Sequence, residues 1–384
     1  MWLYLIIFAI PLFIYLKNKT NVYKNDLFLG LYMMLLACFV GFSDMLGGYD
    51  RYIYGDIFDA IAADIHLGYS IEEIDAMYFF EFGYSFINWL IGHITRNRYI
   101  FILIYTILIY INFYIAFKRH ITNYPFAFIV FFGLIFFFTF TYLRQIYGVS
   151  LALLSIKYLI ERQRWKFFLI MITVALIHKS GIMFAVMYFI PQKKYTRDFV
   201  FIILFICLAL GLSGLTSSFY DVYIEVSDIN AQDDYNSDGG ARFAYIAEVL
   251  VFGVIIFYNY DIVGKNKDEI FFLNMAIVFC AILLLFVRSI NGGRLTWYFI
   301  FGIICTMTNI IANSKGKRAN VLRTTLIVLF FGLFYRILVG WGGSLSPYKT
   351  FFTPGHRDYD QIYIQYEYDN EYDEDKFKNL WAWE

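Results

Sequence analysis

Long apolar stretches recur along the chain and are separated by short polar connections. A transmembrane helix needs about 20 consecutive, mainly apolar residues, and ten stretches approach that length. They lie near residues 1–16, 27–46, 99–117, 124–142, 145–160, 199–217, 242–260, 270–288, 295–313 and 321–340. The pattern therefore predicts an all-α polytopic integral membrane protein with about 10–12 transmembrane helices.

Two further segments are apolar but do not predict a simple crossing. In 82–95, apolar residues recur at helical spacing with a polar strip between them, which is typical of a helix lying in the membrane interface. The segment 167–190 is interrupted at His178-Lys179-Ser180-Gly181. We expect this second segment to enter the membrane, break at His178 and return to the side from which it came.

The charged residues predict how the chain is oriented and divided. Short basic clusters alternate with acidic connections, and basic connections tend to remain on the cytoplasmic side. Residues 47–80 carry seven acidic residues against one arginine, and 218–241 carry six acidic residues and no Lys or Arg. We expect 1–353 to form one membrane domain with external loops at 47–80 and 218–241. Residues 354–384 then form an acidic, aromatic external tail.

Composition excludes several classes of function. The chain is 60% hydrophobic and 16% charged with a net charge of zero, whereas soluble domains are about 45–50% apolar and about 25% charged. It contains no P-loop, HExxH, GxSxG or paired CxxC motif. Neither ATP hydrolysis nor a nucleic-acid partner is indicated. No cofactor or metal site is predicted, although the acidic 47–80 stretch permits a divalent cation without requiring one.

Four charged residues are predicted near outer ends of the spans. Arg144, beside Gln145, would cost roughly 2.5–3.5 kcal/mol in the middle of a membrane, so we expect it to face an anion or a water-filled cavity. A guanidinium can bind two phosphate oxygens at once, and Arg294 has the same potential next to two glycines. Pairing of Arg144 with a carboxylate is the alternative. Asp50 could act as a base or belong to a solvated loop, and Glu81 could react or cap a helix.

His178 lies in an apolar stretch just before the predicted helix break. Histidine exchanges protons near neutral pH, and polar backbone at membrane depth is tolerated only beside protein or water. A catalytic role is therefore one interpretation. The other is a histidine satisfied by packing.

Six stretches, read in order, resemble the EpsG family, which belongs with the Wzy-type polysaccharide polymerases. They are GGYDRYIYGDIF, EFGYSFINWL, LRQIYGVSLAL, LIHKSGIMF, GGRLTWYF and LSPYKTFF. The chain departs from the family at Glu81-Phe82, where an Asp-Pro pair is frequent, and in its tail beyond residue 353. The resemblance implies a multi-pass GT-C-type glycosyltransferase of the bacterial cytoplasmic membrane, working on lipid-linked sugars at the outer face.

The resemblance also implies a reaction and a set of residues. Such a polymerase transfers a growing glycan from undecaprenyl pyrophosphate to a hydroxyl of another lipid-linked repeat unit. Its pyrophosphate would meet Arg144, Arg294 and Gln145. The expected catalytic residues are Asp50, His178 and Glu81, and the expected sugar-binding residues are Tyr49, Tyr298 and Tyr348.

Partners follow from the same reading, and two other functions remain open. The expected partners are undecaprenyl-pyrophosphate-linked oligosaccharides, membrane lipid and a chain-length regulator. A flippase or transporter of lipid-linked oligosaccharides would also need arginines for pyrophosphate. A membrane O-acyltransferase that modifies a polysaccharide could use a membrane histidine and arginine as well.

Overall fold

The structure, a computed structural model, describes residues 1–18, 20–216, 241–289, 292–353 and 376–383. Throughout these ranges the regular secondary structure is helical, with two isolated β-bridges. Nearly all of the predicted loop 218–241 and most of the predicted tail 354–384 lie outside the described residues. Residues 376–383 are called the C-terminal segment below.

Each predicted span coincides with one helix or with a closely spaced series of helices. The longer helices, numbered in chain order together with the short ones, are α1 Trp2–Asn18, α2 Asp26–Gly41, α3 Tyr49–His66, α4 Phe82–Gly92, α5 Arg98–His120, α6 Tyr124–Leu134, α8 Leu143–Ile160, α9 Arg164–Ile177, α11 Arg197–Ser213, α12 Phe243–Tyr258, α13 Lys267–Leu285, α15 Ile300–Asn313 and α16 Gly316–Gly340. The four-residue helices are α7 Phe138–Thr141, α10 Val186–Phe189, α14 Gly292–Leu295 and α17 Gly342–Leu345. The 3-10 helices are Asp75–Tyr78, Lys179–Ala185, Tyr260–Ile262 and Thr296–Phe299.

The expected fold class, an all-α polytopic membrane protein, is confirmed. Within the described ranges, five segments are long and apolar enough to cross a membrane: Arg98–His120, Leu143–Ile160, Lys267–Leu285, Gly292–Asn313 and Ala319–Gly340. Other apolar helices, including α1, α2, α6 and α12, are shorter. The expected number of about 10–12 spans depends on these shorter helices and stays a prediction.

The predicted span 124–142 is not one continuous helix. Helix α6 ends at Leu134, and the short helix α7 begins at Phe138. Between them the Phe136 N–H donates to the carbonyl of Phe131, and the Thr139 hydroxyl donates to the carbonyl of Phe136 at 2.6 Å. These bonds satisfy backbone groups that the break would otherwise expose. The break therefore needs no water-filled gap.

The predicted external loop 47–80 contains helix α3, Tyr49–His66, which its acidic composition did not indicate. Phe58, Ile61 and Ala62 recur at helical spacing and are buried. Phe58 stacks on Phe101 of α5 with ring centroids 4.2 Å apart. Packing against α5 overrides the loop-like acidic composition, and the placement of 47–80 outside the membrane stays a prediction.

Helix α4 has the dimensions and exposure expected of an interfacial helix. Its 11 residues span about 16 Å, roughly half of the hydrocarbon thickness. Apolar side chains on one face are exposed, namely Phe82, Phe86 and Leu90, with Ile94 just beyond the helix. Tyr84 and Asn88 on the other face are buried.

The segment after α8 leaves and returns to the same end of the bundle, as expected. Helix α9 begins four residues after α8 ends and itself ends before His178, where the 3-10 helix takes over. The chain then runs back, so that the Gln192 side chain donates to the carbonyls of Leu159 and Ile160 at 3.0 and 3.3 Å. This hairpin carries His178 to the level of the first residues of α8.

Candidate functional site

Arg144, in the first turn of α8, forms an ion pair with Glu81. The Arg144 side chain is 19% exposed, and its guanidinium lies over the Phe80 ring at 4.4 Å. Its Nε is buried without a hydrogen-bond partner in the described part of the chain. The expected alternative of a carboxylate partner is therefore observed. The guanidinium nevertheless keeps a donor that an anion could satisfy.

Glu81 connects three parts of the chain instead of capping its own helix. One carboxylate oxygen pairs with Arg144, and the other accepts the Lys179 N–H at 2.9 Å. Glu81 precedes α4, but its side chain makes no capping bond to that helix. The carboxylate thus holds the start of α8 against the turn that follows His178.

Two hydroxyl groups, on Ser180 and Tyr298, form a small network that orients the His178 ring. The Ser180 hydroxyl lies 2.6 Å from His178 Nδ1 and 3.3 Å from the Tyr298 hydroxyl. A Cβ on Gly148 would lie 3.4 Å from the His178 Cβ, so this glycine lets α8 approach the turn closely. The contact to Nδ1 sets the ring orientation and leaves Nε2 for another partner.

Arg294, in α14, presents an exposed guanidinium beside an aromatic side chain. It lies over the Tyr142 ring at 4.6 Å and donates to the Tyr142 hydroxyl at 3.4 Å. Gln145, predicted to bind pyrophosphate, is buried and donates its side-chain amide to the Arg294 carbonyl at 3.0 Å. Gln145 therefore fixes the backbone of Arg294 in this structure.

Asp50 lies in the first turn of α3, half-buried, within the field of both arginines. Burial raises the pKa of its carboxyl group above the ordinary value, whereas Arg294 and then Arg144 lower it. The structure thus brings Asp50, Arg144 and Arg294 into one electrostatic environment. Helix α8 also points its uncapped amino end, the positive end of its dipole, toward this region.

The three predicted sugar-binding tyrosines occupy different surroundings. Tyr49 is 52% exposed and precedes Asp50 directly. Tyr298 is fully buried behind Ser180. Tyr348 stacks on Phe39 at 4.3 Å and donates to the Phe39 carbonyl at 2.8 Å. Only Tyr49 has an exposed ring beside the charged residues, and the sugar-binding roles stay predictions.

The chain around the last stretch, LSPYKTFF, is bonded to the chain around the start of the first, GGYDRYIYGDIF. The Gly47 N–H donates to the carbonyl of Ser344, and the Asp44 N–H to that of Lys349, both at 2.9 Å. Ser43 forms a bridge with Thr350. The last stretch thereby fixes the loop that leads into α3 and Asp50.

Sequence reasoning missed the aromatic surroundings of the arginines and the role of the Lys179 backbone. Phe80 and Tyr142 each lie one or two residues from a predicted site residue, and that proximity was the available signal. The described residues contain no group of three or more His, Cys, Asp or Glu side chains placed to hold a metal ion.

Comparison with known proteins gives one family. The model of the EpsG family matches residues 26–350 of the chain. The match covers five of the six stretches in full and most of the sixth. No curated protein and no solved structure matches. Since the match covers most of the chain and includes every residue of the site described above, the protein belongs to the EpsG family, which is associated with polysaccharide polymerisation.

Proposed function

We propose that this protein is a Wzy-type membrane glycosyltransferase that polymerises undecaprenyl-pyrophosphate-linked oligosaccharide repeat units at the outer face of the bacterial cytoplasmic membrane. The observation that carries the proposal is that the structure joins the segments of Arg144 and Arg294, since Gln145 beside Arg144 donates to the Arg294 carbonyl, and that both arginines act on the half-buried Asp50. Two cations beside one carboxylate suit a reaction in which a hydroxyl loses a proton while a pyrophosphate departs. Family membership agrees with polymerisation.

The proposed reaction exchanges one bond at an anomeric carbon for another. The bond from that carbon to the pyrophosphate oxygen breaks, and the acceptor hydroxyl oxygen forms the new glycosidic bond. The hydroxyl proton passes to a base of the protein, and undecaprenyl pyrophosphate leaves with the bonding electrons. The linkage to pyrophosphate is itself the energy source, so the reaction needs no nucleotide.

The charges on the two arginines suit the departing group. Pyrophosphate gains negative charge as it leaves, and fixed cations stabilise that charge without reorganising. Arg144 has a free buried Nε, and Arg294 has an exposed guanidinium. In this proposal Arg144 and Arg294 contact the pyrophosphate, while Glu81, Tyr142 and Gln145 hold them in place.

Asp50 and His178 are the two candidate bases. Asp50 lies in the electrostatic field of both arginines, and the elevated pKa that burial gives it makes its carboxylate a better proton acceptor than an exposed aspartate. His178 has its Nδ1 held by Ser180, so its Nε2 is the nitrogen that could take a proton. We assign Asp50 as the base and His178 as a residue that orients the acceptor.

Reconstitution of the full chain in liposomes tests this function. Lipid-linked repeat units extracted from the host are supplied without nucleotide, and products are sized on a gel. A ladder of regular steps that Arg144→Ala slows by about a hundredfold or more supports the proposal. Arg119→Ala is the matched control, because Arg119 also faces a glutamate, Glu161 at 3.9 Å, but at the opposite end of α8. It should leave the ladder unchanged.

Other outcomes of the same reconstitution would identify a different function. Repeat units that cross the liposome membrane without being joined would show a carrier. A product of unchanged length that depends on an added acyl donor would show an acyltransferase. Either result overturns the polymerase.

A further inference from the structure

Two separate cavities lie between helices α12 and α16, and the larger one is called the groove below. The first half of α12 and the last half of α16 line a cavity of about 930 Å³. The end of α12 and the beginning of α16 line a second cavity, of about 380 Å³. The two helices therefore run antiparallel, and open space separates them at both ends.

The interior of the larger cavity is apolar. Its floor comes from α6, α13 and α15, and one wall comes from α16; the residues are Gly133, Leu134, Phe279, Leu283, Ile300, Leu329 and Leu333. On α12, Ala244, Ala247 and Val251 face the same space. Small residues on this helix leave room that larger side chains would fill. A slender apolar molecule fits such a surface better than water does.

The charged residues of the cavity lie toward the end where α12 begins and α16 ends. Glu248 lies five residues into α12, and Arg336 lies four residues before the end of α16. Arg294 lines the same cavity, together with Trp297 and Trp341. The groove is thus polar and aromatic at its mouth and apolar beyond it. This gradient matches an amphiphile with a charged head and a hydrocarbon tail.

We propose that this groove binds the polyprenyl chain of the lipid-linked donor, whose pyrophosphate lies at Arg144 and Arg294, with Arg336 as a further cation at the mouth of the groove. The inference rests on the proposed function, because it assigns the lipid part of the substrate of the same site. On α12 the lining of the groove runs from Phe243 to Phe252, so the groove extends about 15 Å, roughly half of the hydrocarbon thickness of a bilayer.

Continuity with the candidate site favours this occupant over an ordinary phospholipid. Arg294 lines the groove and also acts on Asp50, so a headgroup at Arg294 lies in the field of the proposed base. Arg336 adds a further cation, which suits a pyrophosphate better than the single phosphate of a phospholipid. Glu248 and Arg336 both line the groove and attract each other electrostatically.

A binding measurement on the full chain tests the groove without requiring turnover. The probe is sugar-free undecaprenyl pyrophosphate, and its occupancy on the detergent-solubilised protein is measured by native mass spectrometry. Val251→Trp fills the groove, whereas Val254→Trp is the matched control, one turn further along α12 and outside the lining. Displacing about two methylene groups of the chain, at about 0.8 kcal/mol each, should weaken binding about tenfold.

Further variants keep the test informative if Val251→Trp folds poorly. Ala247→Leu narrows the same groove and should also weaken binding, and Arg336→Gln should weaken binding while leaving the groove its shape. The groove is supported if the wild type and Val254→Trp bind undecaprenyl pyrophosphate equally well and the other variants bind it more weakly. Equal binding by all of them, or a co-purified phospholipid that undecaprenyl pyrophosphate does not displace, overturns it.

The groove and the polymerase can fail independently. If the wild-type protein binds undecaprenyl pyrophosphate in a manner sensitive to Val251→Trp but makes no ladder, the groove is supported and the polymerase fails. If the protein makes a ladder while Val251→Trp and Val254→Trp bind and react like the wild type, the polymerase is supported and the groove fails.

Discussion

The Glu81–Arg144 ion pair predicts a specific pattern of non-additive effects. Glu81→Gln removes the charge but keeps an oxygen that can accept the Lys179 N–H. The Glu81 and Arg144 side chains are only 8% and 19% exposed. Removing one partner of a buried pair costs about 3–5 kcal/mol. Arg144 retains the Phe80 ring and some solvent access, so we expect about 3 kcal/mol, the lower end of that range.

Activity separates a positioning role of Glu81 from a direct catalytic one. If Glu81 acts by holding Arg144, its loss should slow polymerisation about a hundredfold through misplacement of the guanidinium. Once Arg144→Gln has removed that guanidinium, Glu81→Gln should have no further effect. Initial rates of ladder formation for the two single variants and the double variant, with saturating lipid-linked substrate, measure this.

Stability provides a second readout of the same variants, and an exposed pair provides the control. The melting temperature of the double variant in detergent should lie closer to that of the wild type than the summed single shifts predict. Glu161→Gln, at the exposed Arg119–Glu161 pair, should change it little, since exposed pairs contribute about 0–1 kcal/mol. Additive losses of rate would refute the positioning role and make Glu81 a catalytic residue in its own right.

Three other predictions address the base, the support of His178 and the C-terminal segment. Asp50 can accept a proton only when it is ionised, that is, above its pKa. Arg294 lowers the pKa of Asp50 more than Arg144 does, so Arg294→Gln should raise that pKa and move the acidic limb of the pH–rate profile to higher pH. An unshifted limb would exclude Asp50 as the base. Tyr298→Phe should reduce the polymerisation rate only a few-fold, because the contact that it removes, between the Tyr298 and Ser180 hydroxyls, is 3.3 Å long. Tyr298→Ala should reduce the rate far more, because it leaves a cavity next to Ser180. Equal effects would contradict a packing role for Tyr298. The Asn97 amide donates to two carbonyls of the C-terminal segment, at 2.9 and 2.8 Å. Asn97→Ala should therefore expose this segment to limited proteolysis. An unchanged cleavage rate would show that other contacts are enough to hold the segment in place.

The sequence alone determined the class of fold and the positions of most helices. Long apolar stretches have few other stable solutions in a membrane, because each backbone polar group must be satisfied inside its own segment. The break at His178 was also visible, since Lys-Ser-Gly ends an apolar helix. Helix α3 within the stretch 47–80 was not visible in the sequence, because Phe58 packs on Phe101 of α5 and composition does not reveal such a partner.

Only the tertiary structure decided how the predicted site residues act on one another. Sequence placed Glu81 and Arg144 at the ends of two helices, but it left open whether they pair, because residues 63 positions apart meet only through packing. The same is true of Gln145, whose amide holds the Arg294 backbone. Tyr298 and Tyr348 match the family motif, and packing buries the first and stacks the second on Phe39. Hydropathy and charge are local properties of a chain, whereas a site in a helical bundle is formed by the ends of helices that are distant in sequence.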